Sequence, residues 1–565
     1  MVSETVSRDE IAGAIELQVA KDGTPPTKQA VLEIRESTPI TNAPVLSKFA
    51  FTMVFVGLAF GVFLTILDQT IVAVALQAIS ADFNDLDQIN WIATGYLLTS
   101  TAFIPVYGQF ADILGRKTSF LIGITIFEIG SLLCGAAVNM DMLIAGRAIA
   151  GMGGSGVFSL VIIIVSDLTT EKERGQYMGI LTAVYGLASV TGPLLGGVLV
   201  DHVTWRWVFY LNLPFGAFTI GVVILFLTLP NNNKEPLCDS LQRIDWIGAF
   251  LLITGVICLL IPIQGGGSQY AWNSSTVIVL FILGFFFIGA FVYFEGWAAK
   301  NPLLPFSLFN NRQTIAAFAT MFWLGCGLLV IIFYTPIWFQ IVKGSTATQA
   351  GIKTIPNVAG LVFFAILSGI VGSVTGYYFP FVVLSSILFA VGSGLISTMN
   401  EYSANWKQIV FLIIAGGGPG SGFQSVLMAA QTSVAQEVVA SVTATSNFFQ
   451  TIGAVVGIAI ASSLFNNNLI GNIQDAFVAY NTSLAELQPA GLLDPTIIFT
   501  SPSSIHNASI VADGSTLQAA LVHGYLETLS PLFHLPIIFA VLMLVCAFFL
   551  KKDRIVQGTE IAVGA

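Results

Sequence analysis

GQFADILGRK, residues Gly108 to Lys117, is wedged between two long apolar stretches. A tight reversal needs the backbone freedom that glycine supplies, and Gly108 and Gly115 stand at the right places for it. A bare carboxylate at the edge of lipid costs a few kcal/mol or more unless a cation or a helix end meets it. The segment therefore reads as a latch. Asp112 is held against Arg116 or a facing helix end, and Arg116 and Lys117 anchor the turn in the aqueous layer. Anchoring alone is the simpler reading of the two cations, and both readings fit the same residues.

Working outward, the chain has 565 residues, of which 55% are hydrophobic and 9% charged, with a mean hydropathy of +0.84. Soluble domains carry about 25% charged residues, so water cannot be the solvent for most of this chain and lipid must be. A helix needs about 20 apolar residues to cross the hydrocarbon core. Fourteen such windows fit, at roughly 49–76, 89–111, 118–138, 141–166, 176–200, 207–229, 244–263, 276–297, 314–337, 350–374, 377–398, 407–430, 441–465 and 529–550. The expected fold class is thus an all-α polytopic membrane protein of 14 helices. An even number puts both termini on one side.

Lys and Arg concentrate on cytoplasmic loops. With the N-terminus inside, sixteen of them fall on that side, Arg116 and Lys117 among them, and four on the other, while Arg147 lies within a span. Three N-x-S/T sequons outside the spans, at Asn273, Asn481 and Asn507, all fall in loops assigned outward. The division is a polar tail 1–48, a six-helix bundle 49–230, two intervening helices 231–300, a second six-helix bundle 301–550 with a long outer polar loop 466–528, and a tail 551–565. The net charge of -10 is spread over the tail and short loops and is no nucleic-acid footprint.

The two bundles look like copies. Gly108 and Gly115 recur as Gly369 and Gly376, and Gly192 and Gly196 recur as Gly453 and Gly457, all at an offset of 261. Paired bundles of this kind carry substrate near the midplane at their interface. The charges differ between the copies: Asp112, Arg116 and Lys117 correspond to Ser373, Tyr377 and Tyr378, so the charged latch belongs to one half.

Asp68, Glu128 and Arg147 lie in spans one, three and four, at similar depth from the outer face. An ionised group there needs a partner, so a carboxylate beside Arg147 is favoured, with Asp68 ahead of Glu128. Desolvation and a neighbouring cation pull a carboxylate's proton affinity in opposite directions. A pair whose separation changes can therefore load and release a proton, although a static ion pair is the plainer alternative. Gly192-Pro193 removes one backbone hydrogen bond from span five, and Gly196 and Gly197 allow a neighbouring helix close. Among the many aromatics, Tyr96, Trp323 and Tyr334 are candidates for a cavity lining.

With these residues assembled, the chain resembles the major facilitator superfamily, and within it the fourteen-span drug:proton antiporters, particularly fungal toxin and secondary-metabolite efflux pumps. The loop Gly108–Lys117 is similar to that family's motif between spans two and three. Leu143-Ile-Ala-Gly-Arg147 with Gly151, Gly153 and Gly154 is similar to its span-four motif, and Gly192-Pro193-Leu-Leu-Gly196-Gly197 to its span-five antiporter motif. Leu67-Asp68-Gln-Thr-Ile-Val-Ala-Val-Ala-Leu76 and Trp205-Arg-Trp-Val-Phe-Tyr-Leu-Asn212-Leu-Pro214 resemble stretches of the fourteen-span group. Two departures are Ala188, where the antiporter motif has glycine, and Gln77, where proline is common at the end of span one. The resemblance implies two bundles rocking about a central site. It also implies proton coupling through Asp68 and Arg147, and a glycine seam in span five that limits proton leak.

The expectations follow. No GxxxxGK[ST] and no HExxH occur, and the four histidines form no ligand spacing, so an ATP-driven pump and a metalloenzyme are disfavoured. The expected activity is export of small amphipathic organic compounds in exchange for protons, with no cofactor beyond the proton gradient and no metal. An importer or uniporter on the same fold, or a non-transporting sensor, are the alternatives. The protein is expected to be a monomer in the plasma membrane, with a vacuolar or other endomembrane as the alternative. Five cysteines without CxxC spacing imply neither a disulfide framework nor a zinc site.

Overall fold

The computed structural model describes residues 47–83, 88–169, 171–228, 237–266, 270–434, 438–480 and 516–551. The sequons at Asn481 and Asn507, most of the N-terminal tail and most of the C-terminal tail lie outside these residues. The described part forms one compact unit. Every one of the fourteen expected windows is a helix: α1 (Lys48–Phe83), α2 (Ile89–Ile113), α3 (Arg116–Gly135), α4 (Met140–Leu168), α5 (Glu171–His202), α6 (Trp207–Phe226), α7 (Trp246–Gly265), α8 (Ser275–Trp297), α9 (Arg312–Val342), α10 (Ala347–Thr375), α11 (Phe379–Ser397), α12 (Asn405–Gln431), α13 (Val439–Ala479) and α14 (Thr516–Ala547). Thirteen of them are long and apolar enough to cross a membrane by length and composition alone, and α2, with 25 residues, is the one outside that set. The chain is a multi-pass membrane protein.

Local chemistry sets the helix ends. Asn139, Asp245, Ser274 and Asn311 each accept a hydrogen bond from a backbone N–H one turn into the helix they cap, and Thr346 and Gln349 form a reciprocal capping box. Gly115, at φ 86°, and Gly376, at φ 75°, both adopt the left-handed region that L-residues avoid. The repeat read at an offset of 261 therefore has a shared conformational reason. Helix α1 runs without a break past Gln77 to Phe83, so the glutamine found where proline is common leaves that helix continuous.

One expectation needs correction. The long polar loop 466–528 is largely helical at both ends. Helix α13 continues to Ala479, reaching 41 residues, and α14 begins at Thr516. At 1.5 Å per residue α13 is about 60 Å long, twice the hydrocarbon thickness. Its extension presents Phe465, Leu469, Ile473 and Phe477 to Leu521, Tyr525 and Leu529 of α14, and Asn472 Nδ2 donates to Thr528 Oγ1 at 3.0 Å. A four-residue apolar spacing makes that stripe. The asparagines beside it, Asn466, Asn467 and Asn468, disguise it as loop.

The halves cross-pack by the same rule twice. Helix α2, second of its six, lies against α13, fifth of the other six, and α10 lies against α5 in the mirrored arrangement. A Cβ on Gly108 would stand 2.7 Å from that of Ala444, and one on Gly369 would strike the backbone of Gly175. Repeat glycines thus sit where backbones must approach. The intervening helices α7 and α8 pair with one another and cover the α2–α13 seam, where Leu98, Ala102 and Phe448 join Leu252, Val256 and Phe291 in one apolar cluster.

The cores show how the halves meet. At the face carrying Gly108–Lys117, one continuous cluster includes Leu58, Ala111, Phe120 and Val161 from the first half and Met321, Val426, Ala430 and Val442 from the second. At the opposite face each half has its own cluster. One gathers Ile71, Ile92, Leu143 and Phe209, and the other Tyr334, Trp338, Phe465 and Tyr525. The halves are sealed together at the motif face and packed separately at the other.

Candidate functional site

The first element is a buried ion pair. Arg147 Nη1 donates to Asp68 Oδ2 at 2.5 Å, with Asp68 0% and Arg147 1% exposed. Arg147 Nε donates to the carbonyl of Ile92 at 3.2 Å, and the guanidinium lies 4.4 Å from the centre of the Tyr96 ring. Asn212 Nδ2 donates to Asp68 Oδ1 at 3.1 Å and to Ser131 Oγ at 3.1 Å. Helices α1, α2, α3, α4 and α6 therefore converge on one carboxylate. The glycines after Arg147 make this possible: a Cβ on Gly151 would collide with Tyr96 and Thr99 of α2, and one on Gly153 with the α3 backbone at Phe127.

Two charges sunk this deep hold together only if their remaining lone pairs and protons are met. Here both Asp68 oxygens have donors, and the pair can persist. Glu128 stays out of it. Its carboxylate lies against Gly216 of α6, and both oxygens are without a hydrogen-bond partner among the described residues.

The second element is the latch. Asp112 Oδ1 lies 3.4 Å from Arg116 Nη1, and its Oδ2 accepts from Ser441 Oγ of α13 at 3.0 Å. Asp112 thus touches both Arg116 and a residue near the start of α13. Arg116 Nε in turn donates to Asp167 Oδ2 at 2.8 Å, at the end of α4. Lys117 Nζ donates to the carbonyl of Ile224 at 2.8 Å. A neighbouring knot crosses the halves: Gln431 Nε2 donates to Ser166 Oγ at 3.1 Å and to Thr443 Oγ1 at 2.8 Å, and Arg174 Nη1 donates to Gln431 Oε1 at 3.3 Å. Asp167, Ser441 and Gln431 lie outside the sequence motif, and no spacing in the chain marked them. Gln109, inside the motif, has a separate task. Its Nε2 donates to Asn301 O at 2.8 Å and its Oε1 accepts from Asp245 N at 3.2 Å, which ties the intervening pair to α2.

The span-five glycines divide. Gly192 and Gly196 press against Thr70 and Ile71 of α1, and Thr70 Oγ1 lies 3.5 Å from Ala188 O, so alanine fits there without opening the seam. Gly197 is a correction: among the described residues nothing lies within 4 Å of a Cβ at that position, and it brings no described helix closer. Pro193 sits inside the continuous α5.

The three aromatic candidates are not brought together. Tyr96 belongs to the Arg147 site, Trp323 stacks on Phe539 at 6.0 Å, and Tyr334 is 1% exposed in the second half's own core, 5.9 Å from Phe465. The polar groups that sequence reasoning missed lie above the Gln431 knot. Ser159 stands seven residues before Ser166 on α4, Gln424 seven before Gln431 on α12, and Asn447 four after Thr443 on α13. Steps of four and seven keep a residue on one helix face. All three residues are buried, and Ser159 Oγ, both Gln424 amide atoms and both Asn447 amide atoms have no hydrogen-bond partner among the described residues. Buried amides left unmatched cost about 1–3 kcal/mol each. Asn273 is exposed in the α7–α8 turn. Cys134, Cys258, Cys326 and Cys546 form no disulfide among the described residues.

The family profile described as Major Facilitator Superfamily matches residues 58–458. A relative named "MFS-type efflux pump MFS1", from Arthroderma benhamiae, is 38% identical over 427 residues, covering 75% of this chain and 80% of its own length. "Efflux pump bfoC" from Aspergillus brasiliensis is 34% identical over 490 residues, covering 85% of this chain and 84% of its own. Among solved structures, the human organic anion transporter MFSD10 superposes with a TM-score of 0.50 at 14% identity over 86% of this chain and 98% of its own, a likeness of fold.

Proposed function

This chain belongs to the major facilitator superfamily, and from that premise we propose that it is a proton-coupled exporter of small amphipathic organic molecules. The observation that carries the reading is the fully buried Asp68–Arg147 pair, whose carboxylate is met on both oxygens inside a bundle that must move. A carboxylate there loses its proton when the guanidinium closes on it and binds one when the guanidinium withdraws. Rocking the halves couples that step to cargo. The relatives' names as efflux pumps support the direction of transport. Glu128, close by and without a hydrogen-bond partner among the described residues, serves as a second proton acceptor.

Closure at the motif face is held by Asp112 against Ser441, with Arg116 bridging Asp112 to Asp167 behind it, by the Gln431 knot and by the shared apolar cluster. With that face in the cytoplasm, as the Lys and Arg bias favours, this is the state that releases cargo outward. Gln424, Asn447 and Ser159 offer neutral donors and acceptors where cargo passes, so the class favoured is uncharged, hydrogen-bonding and otherwise apolar. The protein acts as a monomer in the plasma membrane with both termini inside, and Gly192, Pro193 and Gly196 keep the α1–α5 seam tight against leak.

The test is efflux of an amphipathic fluorescent dye from proteoliposomes holding the full-length protein. Export should follow an imposed proton gradient and stop when an uncoupler collapses it. Undiminished export after collapse would reject proton coupling.

A further inference from the structure

We propose that the cleft between the intervening helix pair and α13 is a lipid-facing binding site for an amphipathic cation, a hydrophobic amine or onium ion whose charge seats against Glu295. This site is separate from the path between the halves and does not rest on the transport reading.

The cleft has a volume of about 530 Å³, within the range of small-molecule pockets. Its wall is apolar, formed by Val256, Leu260 and Phe291 of the pair and by Phe448, Phe449 and Ile452 of α13, with one carboxylate among the lining residues, Glu295. Two further lining residues, Val292 and Phe306, are 45% and 42% exposed, so the mouth opens sideways, onto lipid in a membrane.

Glu295 is 5% exposed. Its Oε1 accepts the backbone N–H groups of Leu303 at 2.8 Å and Leu304 at 3.2 Å, which fixes the carboxylate in place. Its Oε2 has no hydrogen-bond partner among the described residues. Asp245, the cap of α7, acts on it electrostatically and has its own Oδ2 unpartnered among those residues. A carboxylate set into an apolar hollow, with one oxygen open, favours a cation with a hydrophobic body. A neutral acyl chain would fill the volume and leave the carboxylate unmatched, at the expense that makes lone buried charges rare. A free inorganic cation would match the charge and leave the hollow empty.

The probe is tritiated tetraphenylphosphonium, measured by equilibrium binding to the full-length protein in lipid nanodiscs. Glu295→Gln keeps an acceptor for Leu303 and Leu304 and should weaken binding about tenfold or more by removing the charge. Ile452→Trp fills the hollow and should abolish binding, with Val256→Phe as substitute if the tryptophan variant is not monodisperse. Gly197→Ala, remote from the cleft, should leave the affinity unchanged. No binding by the parent protein overturns the proposal. So does full affinity in Glu295→Gln, or full affinity in the filled cleft.

Discussion

Asn212 of α6 holds Asp68 of α1: its amide donates at 3.1 Å to the carboxylate oxygen that Arg147 leaves free. The ion pair is therefore a three-helix arrangement, and Asn212 decides which way the carboxylate points. Hydrogen bonds to charged groups are worth about 1.5–3 kcal/mol. Asn212→Leu should reach the membrane at normal level and lose uncoupler-sensitive efflux by about tenfold or more, while dye binding at equilibrium stays near that of the parent. Efflux at the parent rate would show that the amide is only packing.

Asp68→Asn removes the titrating group and leaves a side chain of the same shape. Proton-driven export should vanish while purified protein remains folded and monodisperse. Arg147 is then a lone buried cation, so a lower melting temperature is expected, and restoring neutrality with Arg147→Gln in the same chain should recover stability without recovering transport. An Asp68→Asn protein that still follows the proton gradient would exclude Asp68 as the carrier.

At the latch, Ser441→Ala deletes one donor to Asp112, a net loss of about 1 kcal/mol. That shifts the balance between closed and open motif face roughly fivefold toward open. A cysteine placed in the seam should become correspondingly more accessible to a thiol reagent added at that face. Gly108→Val is more severe, because its Cβ would stand 2.7 Å from that of Ala444, and it should prevent closure. Gly197→Ala is the control, with open space around it and no expected change in either assay.

Gln424 and Asn447 carry amides that nothing described satisfies. If cargo is their partner, Gln424→Leu and Asn447→Leu should leave the melting temperature of the empty protein unchanged or raised, since no existing hydrogen bond is lost. The same variants should raise the KM for hydrogen-bonding substrates about tenfold. A fall in melting temperature with unchanged KM would make them structural.

The helix count, the repeat and the Asp68–Arg147 pair were legible because each follows from a local rule: span length, matched glycines, and the expense of a lone charge in lipid. Asp112 needing Arg116 was legible for the same reason. Its second partner was not, because Ser441 lies 329 residues away and its identity as a serine carries no signal. Asp167, one residue from the end of α4, reads as an ordinary helix-end acid until the fold brings Arg116 to it. The C-terminal end of α13 was hidden although Phe465, Leu469, Ile473 and Phe477 repeat every fourth residue, because the asparagines around that stripe carry the composition of a loop and the helix runs well past the twenty residues a span needs. Tyr334 was chosen for being aromatic; only packing tells a cavity wall from a core.

Gln109 hooks the intervening pair to α2 by two hydrogen bonds, whereas that pair meets α13 through greasy contacts alone among the described residues. When the halves swing, α7 and α8 are thus passengers of the first half, sliding across the second like a shutter on a rail. Excising them to make a twelve-helix derivative would strip the cover from Leu98, Ala102 and Phe448 and leave a lengthwise slit through which lipid tails could wedge. The added hairpin is part of the moving apparatus, and a shortened protein should jam rather than merely lose an ornament.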